Sequence, residues 1–91
     1  MPVEQNELLR HSVIEYLVLR RPAAFSEDSI ARLIRVNQMI DFEATADQCG
    51  RELVLLKDLG LVEEITDPLG STRYYRATGK GVLETERKNR R

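Results

Sequence analysis

The sequence contains a single cysteine, Cys49, which excludes an internal disulfide bond. It has no apolar run near the roughly 18 to 20 residues that a membrane span needs, and no charged-then-apolar signal peptide opens it. It also lacks metal-ligand spacing, a glycine-rich phosphate loop and a nucleophile with a neighbouring histidine. We therefore expect a cytoplasmic protein that is not an enzyme and has no metal, cofactor or membrane partner.

The chain is long enough for one hydrophobic core and too short for two. Its 91 residues are 42% hydrophobic and 32% charged, which lies within the range of globular proteins. Aromatic residues make up only 5%, so a core of Leu, Ile and Val is expected. We predict a single domain over 1–91, with a frayed basic tail over 87–91.

The net charge of −1 conceals an uneven distribution along the chain. Residues 1–71 carry 7 Lys/Arg against 13 Asp/Glu, and residues 72–91 carry 7 against 2. The first part would repel a phosphate backbone and only the second would attract one. Any contact with nucleic acid is therefore expected at the C-terminal fifth of the chain.

Apolar residues at helical spacing predict the first two helices. The first is expected to begin near Asn6 and to end at the Arg21-Pro22 pair, because the residue before proline is pushed out of the helical region. Residues 23–25 form either a short strand or an extended connector. Ser26 is the predicted N-cap of the second helix, which should end near Asn37.

A third helix begins at the T-x-x-Q pattern of Thr45 and Gln48. These residues can form a capping box, in which each side chain satisfies a backbone amide of the other residue's turn. From there Cys49, Leu53 and Leu56 fall on one side of the helix and are predicted to point into the core. Cys49 is then most simply a small buried apolar residue.

The third helix, over 45–59, is predicted to end at Gly60. A hairpin with strands over 61–66 and 72–77 should follow, and we call residues 61–77 the wing. Thr78 is the expected N-cap of a last helix.

Two short patterns carry a resemblance to a known family. The pattern L-x-x-L-x-x-x-G-L-V is matched by Leu53, Leu56 and residues 60–62, and the TGKG segment at 78–81 resembles the L-T-x-x-G that follows the wing in MarR-like regulators. Ala77 stands where those regulators have leucine. The resemblance implies a winged helix-turn-helix fold, mainly α with a small β-hairpin (α+β): a three-helix core, a two-stranded wing and a C-terminal helix. It also implies DNA binding and transcription regulation.

A narrower similarity points to small winged-helix proteins of Mu-like prophages. It is carried by Leu8-Leu9-Arg10, by the S-E-x-x-I pattern at 26–30 and by Asp47-Gln48 followed by the stretch that ends at Val62. The activity of that family is not well defined, so this similarity implies the fold more strongly than a function.

The side of the third helix opposite the core is the candidate surface for reading bases. We call it the outer face, and it consists of Asp47, Gln48, Arg51, Val54, Leu55 and Asp58. Gln48 can pair with adenine and Arg51 with guanine in the major groove. Arg73, Arg76 and Lys80 form a basic edge on and after the wing, which we expect to be free of nearby carboxylates until Glu84 and to contact DNA backbone or the minor groove.

Other residues of the outer face favour a different function. Asp47 and Asp58 have the wrong charge for phosphates, and Val54 and Leu55 stand where DNA readers often carry Lys or Arg. Val54 and Leu55 would suit a protein interface, although Leu55 could instead pack under the wing or the first helix.

Two functions therefore remain open. The first is a regulator that binds double-stranded DNA as a dimer, with two third helices about one helical turn apart. The second is a non-catalytic protein-interaction module that uses Val54 and Leu55.

Overall fold

The computed structural model describes residues 3–89. Within this range the chain forms four helices and one antiparallel sheet of three strands, as expected for the predicted α+β fold. In chain order the elements are α1 (Val3–Leu19), β1 (Phe25–Ser26), α2 (Glu27–Val36), α3 (Ala46–Asp58), β2 (Val62–Thr66), β3 (Arg73–Ala77) and α4 (Gly79–Asn89). None of the helices in the described part of the chain is both long enough and apolar enough to cross a membrane.

The sheet contains one more strand than the predicted two-stranded wing. The strand order is β1-β3-β2, and Phe25 of β1 lies opposite Tyr75 of β3. Of the two possibilities for 23–25, the strand is therefore the correct one, although it is only two residues long and includes Ser26. This short pairing ties the start of α2 to the middle of β3.

Two predicted boundaries need correction at the ends of the chain. The first helix begins at Val3 rather than near Asn6, so Asn6 lies inside α1. Glu4 occupies the first turn, where the helix dipole favours negative charge. At the other end α4 runs to Asn89, so the tail predicted over 87–91 is helical at least that far. Residues 90 and 91 lie outside the described range.

The core is formed where the apolar sides of α1, α2 and α3 meet beneath the sheet. Its completely or almost completely buried side chains are Leu9, Val13, Leu17, Ile30, Ile34, Cys49, Leu53, Leu56, Val62, Tyr75 and Ala77. Met39, Ile40 and Phe42 lie in the connector between α2 and α3 and pack against this core, although they are only partly buried. The connector thus closes the gap between the two helices.

Both ends of α3 are fixed by local hydrogen bonds. At the start, the predicted capping box is confirmed: Thr45 N–H donates to Oε1 of Gln48 over 2.9 Å, and Gln48 N–H donates to Oγ1 of Thr45 over 3.2 Å. At the end, Gly60 has a φ of +79° and forms a Schellman motif, with Gly60 N–H donating to the Lys57 carbonyl and Leu61 N–H to the Leu56 carbonyl, both over 2.9 Å. The positive φ explains why glycine occurs here.

The start of α4 is held directly against this turn. Thr78 Oγ1 donates to the Gly60 carbonyl over 2.7 Å and accepts from Gly81 N–H over 3.1 Å, which confirms Thr78 as the N-cap. Thr78 N–H also donates to the Leu61 carbonyl over 3.0 Å. A Cβ atom on Gly81 would overlap the Leu61 carbonyl oxygen, so only glycine allows this approach.

We predict that Gly81→Ala lowers the free energy of unfolding by about 1–3 kcal/mol, because the added methyl group must push α4 away from Leu61. Gly79→Ala is the matched control: it lies in the same turn, and a Cβ atom there would meet nothing within 4 Å. Urea unfolding of both variants measures the difference. Equal stability of the two would show that the close approach at Gly81 is not a constraint.

Candidate nucleic-acid interface

The inward and outward sides of α3 lie as the sequence predicts. Cys49, Leu53 and Leu56 are each at most 2% exposed. On the outer face Gln48 is half-buried, and the remaining members are exposed. The orientation that makes the outer face available to a partner is therefore confirmed.

The side-chain carbonyl oxygen of Gln48 is engaged in a hydrogen bond within the protein. Oε1 accepts the hydrogen bond from Thr45 N–H in the capping box, which leaves the side-chain amide nitrogen as the group available to a ligand. Bidentate recognition of adenine requires the oxygen and the nitrogen of a glutamine together. In this structure the uncommitted group of Gln48 is its side-chain NH2, which carries two N–H donors.

Arg51 is the positively charged residue of the outer face, and its guanidinium is available to a ligand. It is exposed, and among residues 3–89 its guanidinium makes neither a hydrogen bond nor an ion pair. Arg51 also lies one turn after Asp47 and Gln48, close to the N-terminus of the helix, where DNA-reading helices contact bases. The five N–H donors of a guanidinium suit the two acceptors of guanine.

Val54 and Leu55 are accessible apolar side chains. They are 51% and 44% exposed, so Leu55 does not pack under the wing or α1. They lie three and four residues after Arg51, which puts them beside it on the same side of the helix. The centre of the outer face is thus one cation next to an apolar pair.

The expectation that Arg73, Arg76 and Lys80 are free of nearby carboxylates is wrong for the two arginines. Arg76 Nε pairs with Glu63 Oε1, and Arg73 Nε lies 3.8 Å from Glu64 Oε1. The cause is the strand register, which places Glu63 directly opposite Arg76. The predicted hairpin already implied this pairing, because a turn centred on residues 69–70 places Glu63 opposite Arg76.

Lys80 lies beside the C-terminus of α3. Its Nζ donates to the carbonyl oxygen of Leu59 over 2.9 Å while the residue stays exposed. Cations are favourable at this end of a helix, where backbone carbonyls lack partners. Lys80 therefore contributes to the closure of α3 and also carries charge at the surface.

A partly buried ion pair that no sequence pattern predicted joins α1 to α3. Arg10 Nε donates to Oε1 of Glu52 over 2.8 Å, and the Glu52 side chain is only 7% exposed. Glu52 lies at the edge of the inward side of α3, one turn before Leu56. Because a buried carboxylate without a partner would be costly, this pair fixes how α3 sits against α1.

A second missed feature connects α2 to the sheet. The hydroxyl group of buried Tyr75 lies 3.3 Å from Oε1 of Glu27 and 3.4 Å from Oε1 of Glu64. Burial raises the pKa of Tyr75, and the two carboxylates raise it further. The Glu27 carboxyl also lies against α3, since a Cβ atom on Gly50 would be 2.9 Å from its Cδ. These contacts fix the position of α3 relative to the wing.

Cys49 is buried, as the sequence predicts, and its environment suppresses reactivity. Burial raises the pKa of its thiol to about 11, and the neighbouring charges of Glu27 and Glu52 act in the same direction. Among residues 3–89, no group of three or more His, Cys, Asp and Glu residues is placed to hold a metal ion.

We predict that iodoacetamide labels Cys49 in the folded protein at pH 8 about a hundredfold more slowly than in the urea-unfolded chain. A rise of the pKa from 9.0 to about 11 lowers the thiolate fraction by that factor, and burial slows access further. Mass spectrometry of timed samples gives both rates. Similar rates in the two states would contradict the buried placement of the thiol.

Comparison with known proteins identifies the fold. No protein-family model matches the sequence, and no curated protein sequence matches it. Bacillus subtilis PadR in complex with operator DNA superposes with a TM-score of 0.73 at 22% identity, over 91% of this chain and 48% of that chain. The present chain therefore spans about half the length of PadR.

Two further solved structures have the same architecture. A transcriptional regulator from Clostridium thermocellum matches with a TM-score of 0.76 at 15% identity, over 98% of this chain and 84% of that chain. MepR of S. aureus in complex with DNA matches with a TM-score of 0.71 at 16% identity, over 96% of this chain and 66% of that chain. At these identities the comparisons show the fold, and the fold of this chain is a winged helix.

Proposed function

We propose that the protein is a DNA-binding transcription regulator that inserts α3 into the major groove. The observation that carries the proposal is the exposed, unpaired guanidinium of Arg51 near the N-terminus of α3. Two of the structures that share its fold, PadR and MepR, are DNA complexes. MarR-like regulators and the small prophage proteins are the relatives that its sequence patterns favour.

The wing contributes backbone contacts in this proposal. Arg73 and Arg76 are partly neutralised by Glu64 and Glu63, but both ion pairs are accessible to water and are therefore weak. A phosphate group can replace either carboxylate as the partner of the arginine. Lys80 supplies a further charge next to the C-terminus of α3.

A dimer is the assembly in which this domain would read an operator. A single outer face covers few base pairs, whereas two copies related by a twofold axis read two half-sites about one helical turn apart. We propose a cytoplasmic homodimer on double-stranded DNA.

Binding to random duplex DNA at increasing salt tests the proposal. We predict that the logarithm of affinity falls with the logarithm of salt concentration with a slope of about −2 to −4, corresponding to two to four neutralised phosphates. Arg51→Ala combined with Arg73→Ala should weaken binding about tenfold or more, because both cations face the duplex. Fluorescence anisotropy measures both effects.

Arg20→Ala is the control for this experiment. Combined with Arg21→Ala, it removes the same two positive charges from exposed residues that follow α1 and belong to neither α3 nor the wing. The proposal fails if the Arg51 and Arg73 variant binds as tightly as the wild type, or if the wild type does not bind even at low salt.

A second candidate function is a protein contact through the outer face, favoured by the exposure of Val54 and Leu55. In that case Leu55→Asp abolishes self-association in sedimentation velocity while the circular dichroism spectrum stays unchanged, because a charge replaces the apolar contact. Leu19→Asp, at an exposed position on α1, is the control. Unchanged sedimentation of the Leu55 variant would contradict an interface between copies at this face.

A further inference from the structure

The capping box restricts what Gln48 can recognise. Adenine presents one donor and one acceptor in the major groove, so a glutamine reads it with its oxygen and its nitrogen together. Here the oxygen accepts from Thr45 N–H over 2.9 Å, which directs it towards the end of the helix. The oxygen keeps a second lone pair, but turning the amide to place oxygen and nitrogen together on an adenine edge would strain the hydrogen bond to Thr45. The remaining amide nitrogen is a donor alone, which suits a phosphate oxygen and carries little base information.

The apolar pair on the outer face has a natural counterpart in the major groove. Thymine alone among the four bases presents a methyl group there, and proteins read it by apolar contact. Val54 and Leu55 are about half exposed and lie one turn beyond Arg51, so a helix placed with Arg51 on a base edge brings both towards the adjacent base pairs. Such a contact removes apolar surface from water on both partners.

We infer that α3 discriminates guanine through Arg51 and the thymine methyl group through Val54 and Leu55, whereas Gln48 positions the helix and does not read adenine. This inference rests on the proposed DNA-binding function. It replaces the adenine contact that the sequence alone suggests, and it gives the apolar pair a role within DNA recognition.

The first part of the test selects binding sites from a pool of duplexes with randomised sequence. We expect the wild type to enrich sites in which guanine is flanked by thymine. Gln48→Ala should enrich the same bases while its melting temperature falls, since the variant loses one half of the capping box. Loss of an adenine preference in Gln48→Ala would overturn the inference.

The second part replaces each thymine of the enriched site by deoxyuridine, which lacks the methyl group. We expect the wild type to bind about fourfold more weakly for each methyl group that it contacts, the factor that corresponds to removing one buried methyl group. The variant with Val54→Ala and Leu55→Ala should bind the thymine duplex more weakly and should no longer distinguish it from the deoxyuridine duplex. Alanine suits an exposed helical position, so the variant is expected to fold.

Leu19→Ala is the matched control, because it truncates an exposed leucine of α1 that lies outside the outer face. It should keep the wild-type preference for thymine. The inference is overturned if the wild type binds both duplexes equally, or if the alanine variant of Val54 and Leu55 keeps the preference. Absence of any duplex binding by the wild type would instead show that the proposed function itself is wrong.

Discussion

The geometry of the molecule depends on the close contact between the end of α3 and the start of α4. Gly60 turns the chain with a positive φ, and the carbonyl groups of Gly60 and Leu61 both accept hydrogen bonds from Thr78. Gly81 lets α4 approach Leu61 without a side chain in between. Because β2 begins at Val62 and β3 ends at Ala77, the same contact closes the base of the hairpin. The position of the wing relative to the outer face follows from it.

Charge distribution makes this an unusual candidate for DNA recognition. The excess of basic residues after position 71 is partly cancelled in the folded state, because β2 brings Glu63 and Glu64 next to the arginines of β3. The attraction for phosphates is therefore weakened, although not removed, because both ion pairs are accessible to water. A protein of this kind must obtain more of its binding free energy from contacts to bases, and the apolar pair beside Arg51 is suited to that role.

The sequence predicts local structure better than long-range contacts. The capping box, the turn at Gly60 and the inward side of α3 depend on residues within a few positions of one another, and all three are confirmed. The pairing of Glu63 with Arg76 could be predicted from the hairpin, because the position of its turn determines which residues of the two strands lie opposite each other. The contacts of Arg10 with Glu52 and of Tyr75 with Glu27 join residues 42 and 48 positions apart, so they depend on helix packing that no local pattern encodes.

DNA binding by this protein requires that the outer face of α3 is the surface that meets the duplex. A titration of isotopically labelled protein with a duplex, followed by amide chemical shifts in nuclear magnetic resonance spectra, tests it residue by residue. We expect the largest shifts over residues 45–58 and smaller ones along the wing, whereas the amides of α1 should change little. Shifts concentrated on α1, or a spectrum that does not change when duplex is added, would contradict it.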